Sequence, residues 1–299
     1  MKKIHLTRFA AMATVALLGS TAAWGGASNH EGTGWETVVD GAELLLFSNQ
    51  AVDLVSISQT EINSYMDAVK TITVRRVDPA AEFSTLMLPV EVEVSEAING
   101  GTGEHVGKVE AAYLPIGYNS VTQTMDFEIQ GTIKANKPYL VRVSGSPNVF
   151  AFENTSGYSV VATSAAEHSV TLSSSCWEFT GTYANKKWAS ANNLYGYDAN
   201  DGVFVKALSA EIYPMRAYLT CTGSGYSNNG LHKSAVEELP EVINVRFLDK
   251  NGGTLSIGTM NTRTGDIQMQ DRYYDLKGRK LNGKPQNKIM YVNKKVIKH

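Results

Sequence analysis

Residues 70–78 read KTITVRRVD, and the alternation inside this stretch decides the fold class. Ile72 and Val74 are apolar, Thr73 and Arg75 are polar, and Val77 continues the apolar series. Successive side chains of a strand point to opposite faces, so Ile72, Val74 and Val77 are expected inward and Thr73 and Arg75 outward. Asp78-Pro79 ends the run, because the residue before a proline is restricted and the pair favours a turn. Upstream, residues 36–57 read ETVVDGAELLLFSNQAVDLVSI and are expected to form three strands, with a hairpin turn at Asp40-Gly41 between the first two. One short helix is expected over Ser58–Lys70, capped by Thr60, with Asn63 where a full capping box would hold an acid.

Downstream the same rhythm repeats. Residues 82–94, EFSTLMLPVEVEV, alternate Val90, Val92 and Val94 with Glu91 and Glu93, which predicts a half-buried strand with a solvated acidic face. Further runs follow at 107–116, 124–143, 148–163, 168–183, 192–207 and 211–223, each punctuated by Gly, Asn, Asp or Pro. The 26 glycines and 8 prolines suit strands joined by glycine-rich turns. The expected class is all-β: an antiparallel β-sandwich-like region over 24–225, one reading of which divides it into two subdomains near 80. Residues 226–241 read as a linker, and 242–299 as a small C-terminal β unit whose own core would be marginal.

Residues 1–23 read as a secretory signal peptide: Lys2, Lys3 and Arg8 precede a short apolar run from Phe9 to Leu18, and Thr21-Ala22-Ala23 offers small residues to a peptidase. The apolar run is too short for a membrane span, and no lipobox is present. The formal charge of -2 becomes three units more negative without those basic residues, which argues against nucleic acid as a partner.

Motifs of chemistry are sparse. Glu91 and Glu93 lie two apart on one strand and point the same way, whereas a glycosidase needs carboxylates facing each other across a sugar. The histidines stand far apart without metal-ligand spacing, so no metal and no cofactor is expected. Asp198, Asn200 and Asp201 before Gly202 read as a hairpin loop, since no distal Glu completes a calcium site. Gly107-Lys108 lacks the Ser or Thr of a phosphate loop. No Gly-x-Ser-x-Gly occurs, and no catalytic residue is named. The two cysteines, Cys176 and Cys221, are either a disulfide, as export would favour, or two separately buried thiols. Among the aromatics clustered between Trp177 and Tyr197, Trp177 and Phe179 are expected in the core, and Trp188, Tyr195 and Tyr197 are the candidates for stacking on a glycan or peptide.

Residues 274–281, YDLKGRKL, resemble the YDLxGRxL motif in the tails of secreted and surface proteins of the Bacteroidota, and Ile289–Lys298 is similar to the strand pair that follows it there. The tail departs from that pattern at Lys288 and Lys294, where glycine is usual. Between Phe83 and Thr222 the chain resembles a β domain of the same phylum through Leu88-Pro89, Ala135–Val141, Phe179–Tyr183 and Tyr213–Leu219. The resemblance implies a type IX secretion sorting signal carried by Tyr274, Asp275, Leu276, Gly278 and Arg279, and secretion or anchoring machinery as the partner. Arg216, inside the last of the resembling segments, invites a ligand, although a strand arginine also pairs with carboxylates or covers apolar edges. The expected function is a non-enzymatic, exported structural or adhesin-like protein of the outer surface. A glycan- or peptide-binding module, an enzyme with an unrecognised site, and a periplasmic location are the alternatives.

Overall fold

Along Val69–Arg75 the computed structural model has the expected alternation: Ile72 and Val74 are buried, Thr73 is half-buried, and Arg75 is exposed. Val77 breaks the series at 43 % exposure, because the ladder ends at Arg75 and the chain beyond it is held by a turn contact, Val77 N to Ser48 Oγ at 3.0 Å. The structure describes residues 34–38, 42–54, 57–65, 69–163, 165–172, 175–189, 193–221 and 239–260, together with the short strands Ser28–Asn29, Ile267–Met269, Tyr273–Tyr274, Ile289–Val292 and Lys295–Lys298.

Val69–Arg75 belongs to a six-stranded sheet in the order Ser28–Asn29, Trp35–Val38, Glu43–Phe47, Val69–Arg75, Val149–Tyr158, Ala97–Ile98. Trp35–Val38 and Glu43–Phe47 pair antiparallel, while the Asp40-Gly41 turn lies outside the described residues. Glu43–Phe47 and Val69–Arg75 run parallel, so a crossover must join them, and the helix Gln59–Tyr65 lies in it. That helix is shorter than the sequence suggested. Its cap is Ser58, whose Oγ accepts from Glu61 N at 3.2 Å, and not Thr60. Lys70 lies in the next strand, where the β-branched run Thr71–Val74 prefers extended backbone. Among its described residues the third strand expected before the helix forms no ladder: Val52 donates its N–H to Tyr183 O at 2.8 Å, and Val52 and Leu54 are buried.

The second sheet has twelve strands. Its path is Glu167–Thr171, Trp177–Thr182, Arg216–Cys221, Leu194–Asp198, Val203–Ala207, Val242–Leu248, Thr124–Gln130, Val109–Asn119, Tyr139–Val143, Phe83–Leu86, with Thr254–Met260 and Ile267–Met269 branching from Val242–Leu248. The pairing is antiparallel throughout except between Val242–Leu248 and Thr124–Gln130. The sheet curls until Arg216–Cys221 returns beside Phe83–Leu86, where Ala217 N meets Thr85 Oγ1 and Met87 N meets Met215 O, both at 3.0 Å. Among the described residues the fold is therefore predominantly antiparallel β, with a sandwich-like, curled sheet and almost no helix.

Two cores follow from the period of two. Inside the curl, Phe127, Phe179 and Phe204 pack with ring centroids 5.8 to 6.0 Å apart, beside Trp177, Tyr195, Ile243 and Val245. Tyr139, Val141 and Val143 turn the other way, while Leu140 between them faces the curl. The first three join Leu44, Leu46, Ile72, Phe150 and Phe152 of the six-stranded sheet in the second core. That core combines residues from both sides of position 80, so packing is continuous there.

Val242–Leu248, read from sequence as the first strand of the C-terminal unit, lies inside the main sheet between Val203–Ala207 and Thr124–Gln130. Its alternating Ile243, Val245 and Phe247 fill the curl, which gives them more burial than a small separate unit would. Near the chain end, Tyr273–Tyr274, Ile289–Val292 and Lys295–Lys298 form a three-stranded antiparallel sheet. Among the described residues no helix is long and apolar enough to cross a membrane.

Candidate functional site

The three aromatic candidates do not form a platform. Tyr195 is fully buried: its ring meets Trp177 edge-on at 5.1 Å and its hydroxyl donates to Pro240 O at 2.6 Å. It offers no face to a sugar, and the expectation that it binds one is corrected. The cause is the curl, which makes the Tyr195 face of Leu194–Asp198 the inner one. Tyr197, two residues on, packs against Phe204 at 5.1 Å, and its hydroxyl is shut off from solvent without a partner. Trp188 sits apart in a two-stranded ribbon with Ala210–Ile212 and packs on Tyr218 at 5.1 Å. Trp177 and Phe179 are buried core residues.

Other sequence motifs have structural occupations. Cys176 and Cys221 form a disulfide with Cα atoms 4.7 Å apart, at the end of the ladder where Trp177 faces Cys221. Glu91 pairs with Lys134 Nζ at 2.8 Å, and Glu93 accepts from Thr132 Oγ1 at 2.8 Å. Asp198 Oδ1 accepts from Asn200 N at 2.9 Å and Asp201 N at 3.4 Å, closing a hairpin with Gly202 at φ +67°. Among the described residues no group of three or more His, Cys, Asp or Glu could hold a metal. Tyr274 lies in a strand, whereas Asp275, Leu276, Gly278 and Arg279 fall outside the described residues, as does the stretch from Lys2 to Ala23.

The structure instead brings together Arg76 and Arg216. Arg76 follows the strand Val69–Arg75, its N–H held by Asn148 O at 2.9 Å. Arg216 opens the strand Arg216–Cys221, directly after Met215, whose φ of +62° is a left-handed conformation uncommon without glycine. Met215 is pinned there by its N–H to Thr182 O at 2.6 Å and by accepting from Met87 N at 3.0 Å. Both arginines border a small apolar cleft with Ser48, Val74, Leu86 and Pro214, whose room of about 10 Å³ suits one water-sized group.

Each guanidinium rests against a ring: Arg76 Cζ lies 4.8 Å from the centre of Phe150, and Arg216 Cζ 5.7 Å from Tyr213. Each ring offers its electron-rich face to the charge above it. Arg76 Nε, Arg216 Nε and Arg216 Nη2 are sealed from solvent and have no hydrogen-bond partner, although both residues keep some exposed surface elsewhere. Burial and then the charge of Arg216 push the Arg76 pKa well below the usual arginine value, against a smaller opposing pull from Asp78. Burial lowers that of Arg216 too, with Asp78 and Tyr213 opposing. The two arginines bring positive charge and unpartnered donors together, with the donors closed to solvent. Arg216 was noticeable in the sequence as a lone charge among Met215, Ala217, Tyr218 and Leu219, but nothing there marked Arg76 as its neighbour.

No family model, curated protein or solved structure matches the chain.

Proposed function

We propose that this chain is a non-enzymatic β module, exported and displayed at the outer cell surface in a structural or adhesin-like role. The observation that carries the reading is the filled interior of the curled sheet. Phe127, Phe179, Phe204 and Trp177 occupy the space that a ligand-enclosing barrel would keep open. Interactions are then made by outward surfaces, as in a scaffold or adhesin. The signal-like stretch from Lys2 to Ala23 and the sorting-like tail from Tyr274 support the route outward, with secretion and anchoring machinery as the partner of the tail.

The test is delivery. In the native organism the protein is expected in the outer-surface fraction, digestible by protease on intact cells, with a mature N-terminus downstream of Ala23. Deleting Tyr274–His299 is expected to shift it to the periplasm while the remaining chain stays folded. Unchanged surface delivery of the truncated chain would overturn the role given to the tail, and protein confined to the cytoplasm with Met1 intact would overturn export.

A further inference from the structure

A strand inside a sheet pairs its backbone on both sides, and a strand at the end of a sheet on one side only. Among the described residues most sheet ends are short, covered or guarded. Ser28–Asn29, Ala97–Ile98 and Ile267–Met269 have two or three residues each. Phe83–Leu86 closes against Arg216–Cys221, where Ala217 N donates to Thr85 Oγ1. Lys295–Lys298 begins and ends in lysine, a usual guard against further pairing. Glu167–Thr171 differs from all of these. It has five residues, ends the twelve-stranded sheet, pairs with Trp177–Thr182 without a register shift, and contains neither proline nor lysine.

The register shows which backbone groups of this strand are spare. Tyr183 N donates to Ala166 O at 2.7 Å and Leu172 N to Trp177 O at 3.0 Å, in line with the ladder that sets His168 opposite Gly181 and Val170 opposite Phe179. Bonded and unbonded pairs alternate along an antiparallel ladder, so the even-numbered residues direct their N–H and C=O to Trp177–Thr182. Glu167, Ser169 and Thr171 direct theirs to the open side, where no hydrogen bond among the described residues uses them. Ser169 and Thr171 are exposed. Glu167 is the one carboxylate of the strand, and it is held by Lys186 Nζ at 3.1 Å and by the Tyr218 hydroxyl at 2.7 Å. The edge therefore carries little net charge to repel another strand.

We infer that Glu167–Thr171 is a pairing surface for a second copy of this chain, the two strands running antiparallel about a twofold axis at Ser169. In that register the strand is complementary to itself. Ser169 meets its own copy, Glu167 meets Thr171, and His168 meets Val170. A carboxylate lies opposite a hydroxyl, no like charges face each other, and Glu167, Ser169 and Thr171 each exchange both backbone bonds. An extended peptide from another protein would meet the same backbone edge, but the self-matched side chains favour the second copy. Five residues a side is far less than a permanent interface buries, so the dimer is weak and concentration-dependent. The pairing is independent of export and display and stands or falls without them.

Sedimentation velocity of the purified protein is expected to show a monomer–dimer equilibrium at concentrations up to about 1 mM. Ser169→Lys, at an exposed position, sets two lysines opposite each other and should weaken the dimer at least tenfold while the β signal in circular dichroism is kept. Ser169→Cys sets two thiols opposite each other at a Cα spacing of about 5.5 Å, which a disulfide spans. Mild oxidation should therefore cross-link it at least tenfold faster than Thr171→Cys, whose thiol meets Glu167 instead. A protein that stays monomeric over the whole range would overturn the proposal. So would a dimer undiminished in folded Ser169→Lys, or equal cross-linking of the two cysteine variants. A Ser169→Cys thiol closed to a maleimide at high dilution would show that another segment of the chain covers the edge, and would overturn it too.

Discussion

At the scale of single residues, close backbone approach separates glycines that composition treats alike. A Cβ on Gly107 would lie 1.8 Å from Ser144 O, a backbone atom that cannot swing aside. Gly107 also exchanges hydrogen bonds with Gly100, N to O at 3.1 Å and O to N at 2.8 Å, closing the loop around Gly103–His105. Gly117 stands in an irregular stretch of Val109–Asn119 with open space at its Cβ position. Gly107→Ala is expected to destabilise by about 3 kcal/mol. Gly117→Ala should be neutral or stabilising by up to about 0.5 kcal/mol, since alanine restricts the unfolded chain. Urea midpoints of the two variants check this, and equal midpoints would reject the close approach at Gly107. Neither outcome was legible in the sequence, where both glycines sit beside the same apolar strand. The distinguishing contact comes from Ser144, on a different segment.

Elements show the same division. The Cys176–Cys221 bridge closes a loop of 45 residues and ties the ends of two paired strands. Chain entropy gives such a closure about 4 kcal/mol. Reduction, or Cys176→Ser with Cys221→Ser, should lower stability by about 3–4 kcal/mol in denaturant titrations. A loss below about 1 kcal/mol would mean that ladder pairing alone holds those ends. The strand Val242–Leu248 has a larger role than its place after a polar stretch suggests, since it bridges Val203–Ala207 and Thr124–Gln130. Ending the chain at residue 241 should therefore abolish cooperative folding, because it removes Ile243, Val245 and Phe247 from the curl. Ending it at 272 removes only the three-stranded sheet Tyr273–Lys298, which pairs with no strand of the main sheet among the described residues, and should leave the urea midpoint unchanged. Circular dichroism of the two truncated chains distinguishes these outcomes.

For the whole molecule, the aromatic filling of the curl and of the core beside it predicts how the fold meets alkali. Burial raises the pKa of Tyr183 well above its ordinary value, and burial first of all raises those of Tyr195, Tyr197 and Tyr218. In the unfolded chain tyrosine ionises near pH 10. Above that pH the unfolded state loses protons that the folded state retains, so the contribution of these groups is fully present below about pH 10 and is lost as pH rises further. Unfolding above about pH 10 should be cooperative, with the phenolate absorbance of the buried tyrosines growing together with loss of the β signal. Gradual ionisation of all tyrosines in a chain that keeps its β signal would show that these hydroxyls are reached by solvent in the folded state.

Periodicity alone determined that the chain is all-β. The alternation of Ile72 with Thr73 and of Val92 with Glu93 is a local property, set by the two-residue repeat of an extended backbone. Local chemistry likewise marked the hairpin at Asp198–Gly202, the core positions of Trp177 and Phe179, and the two cysteines as possible partners. Which face of a strand became interior was decided by the curl. Tyr195 and Tyr197 alternate correctly for either face, and only the return of Arg216–Cys221 to Phe83–Leu86 turned them inward. Strand order was equally out of reach, because hydrogen bonds between strands carry no sequence label, and Val242–Leu248 could join the main sheet or the tail. The meeting of Arg76 with Arg216 is the extreme case: each is an ordinary strand-end arginine by itself, and their shared field exists only because two distant segments line one cleft.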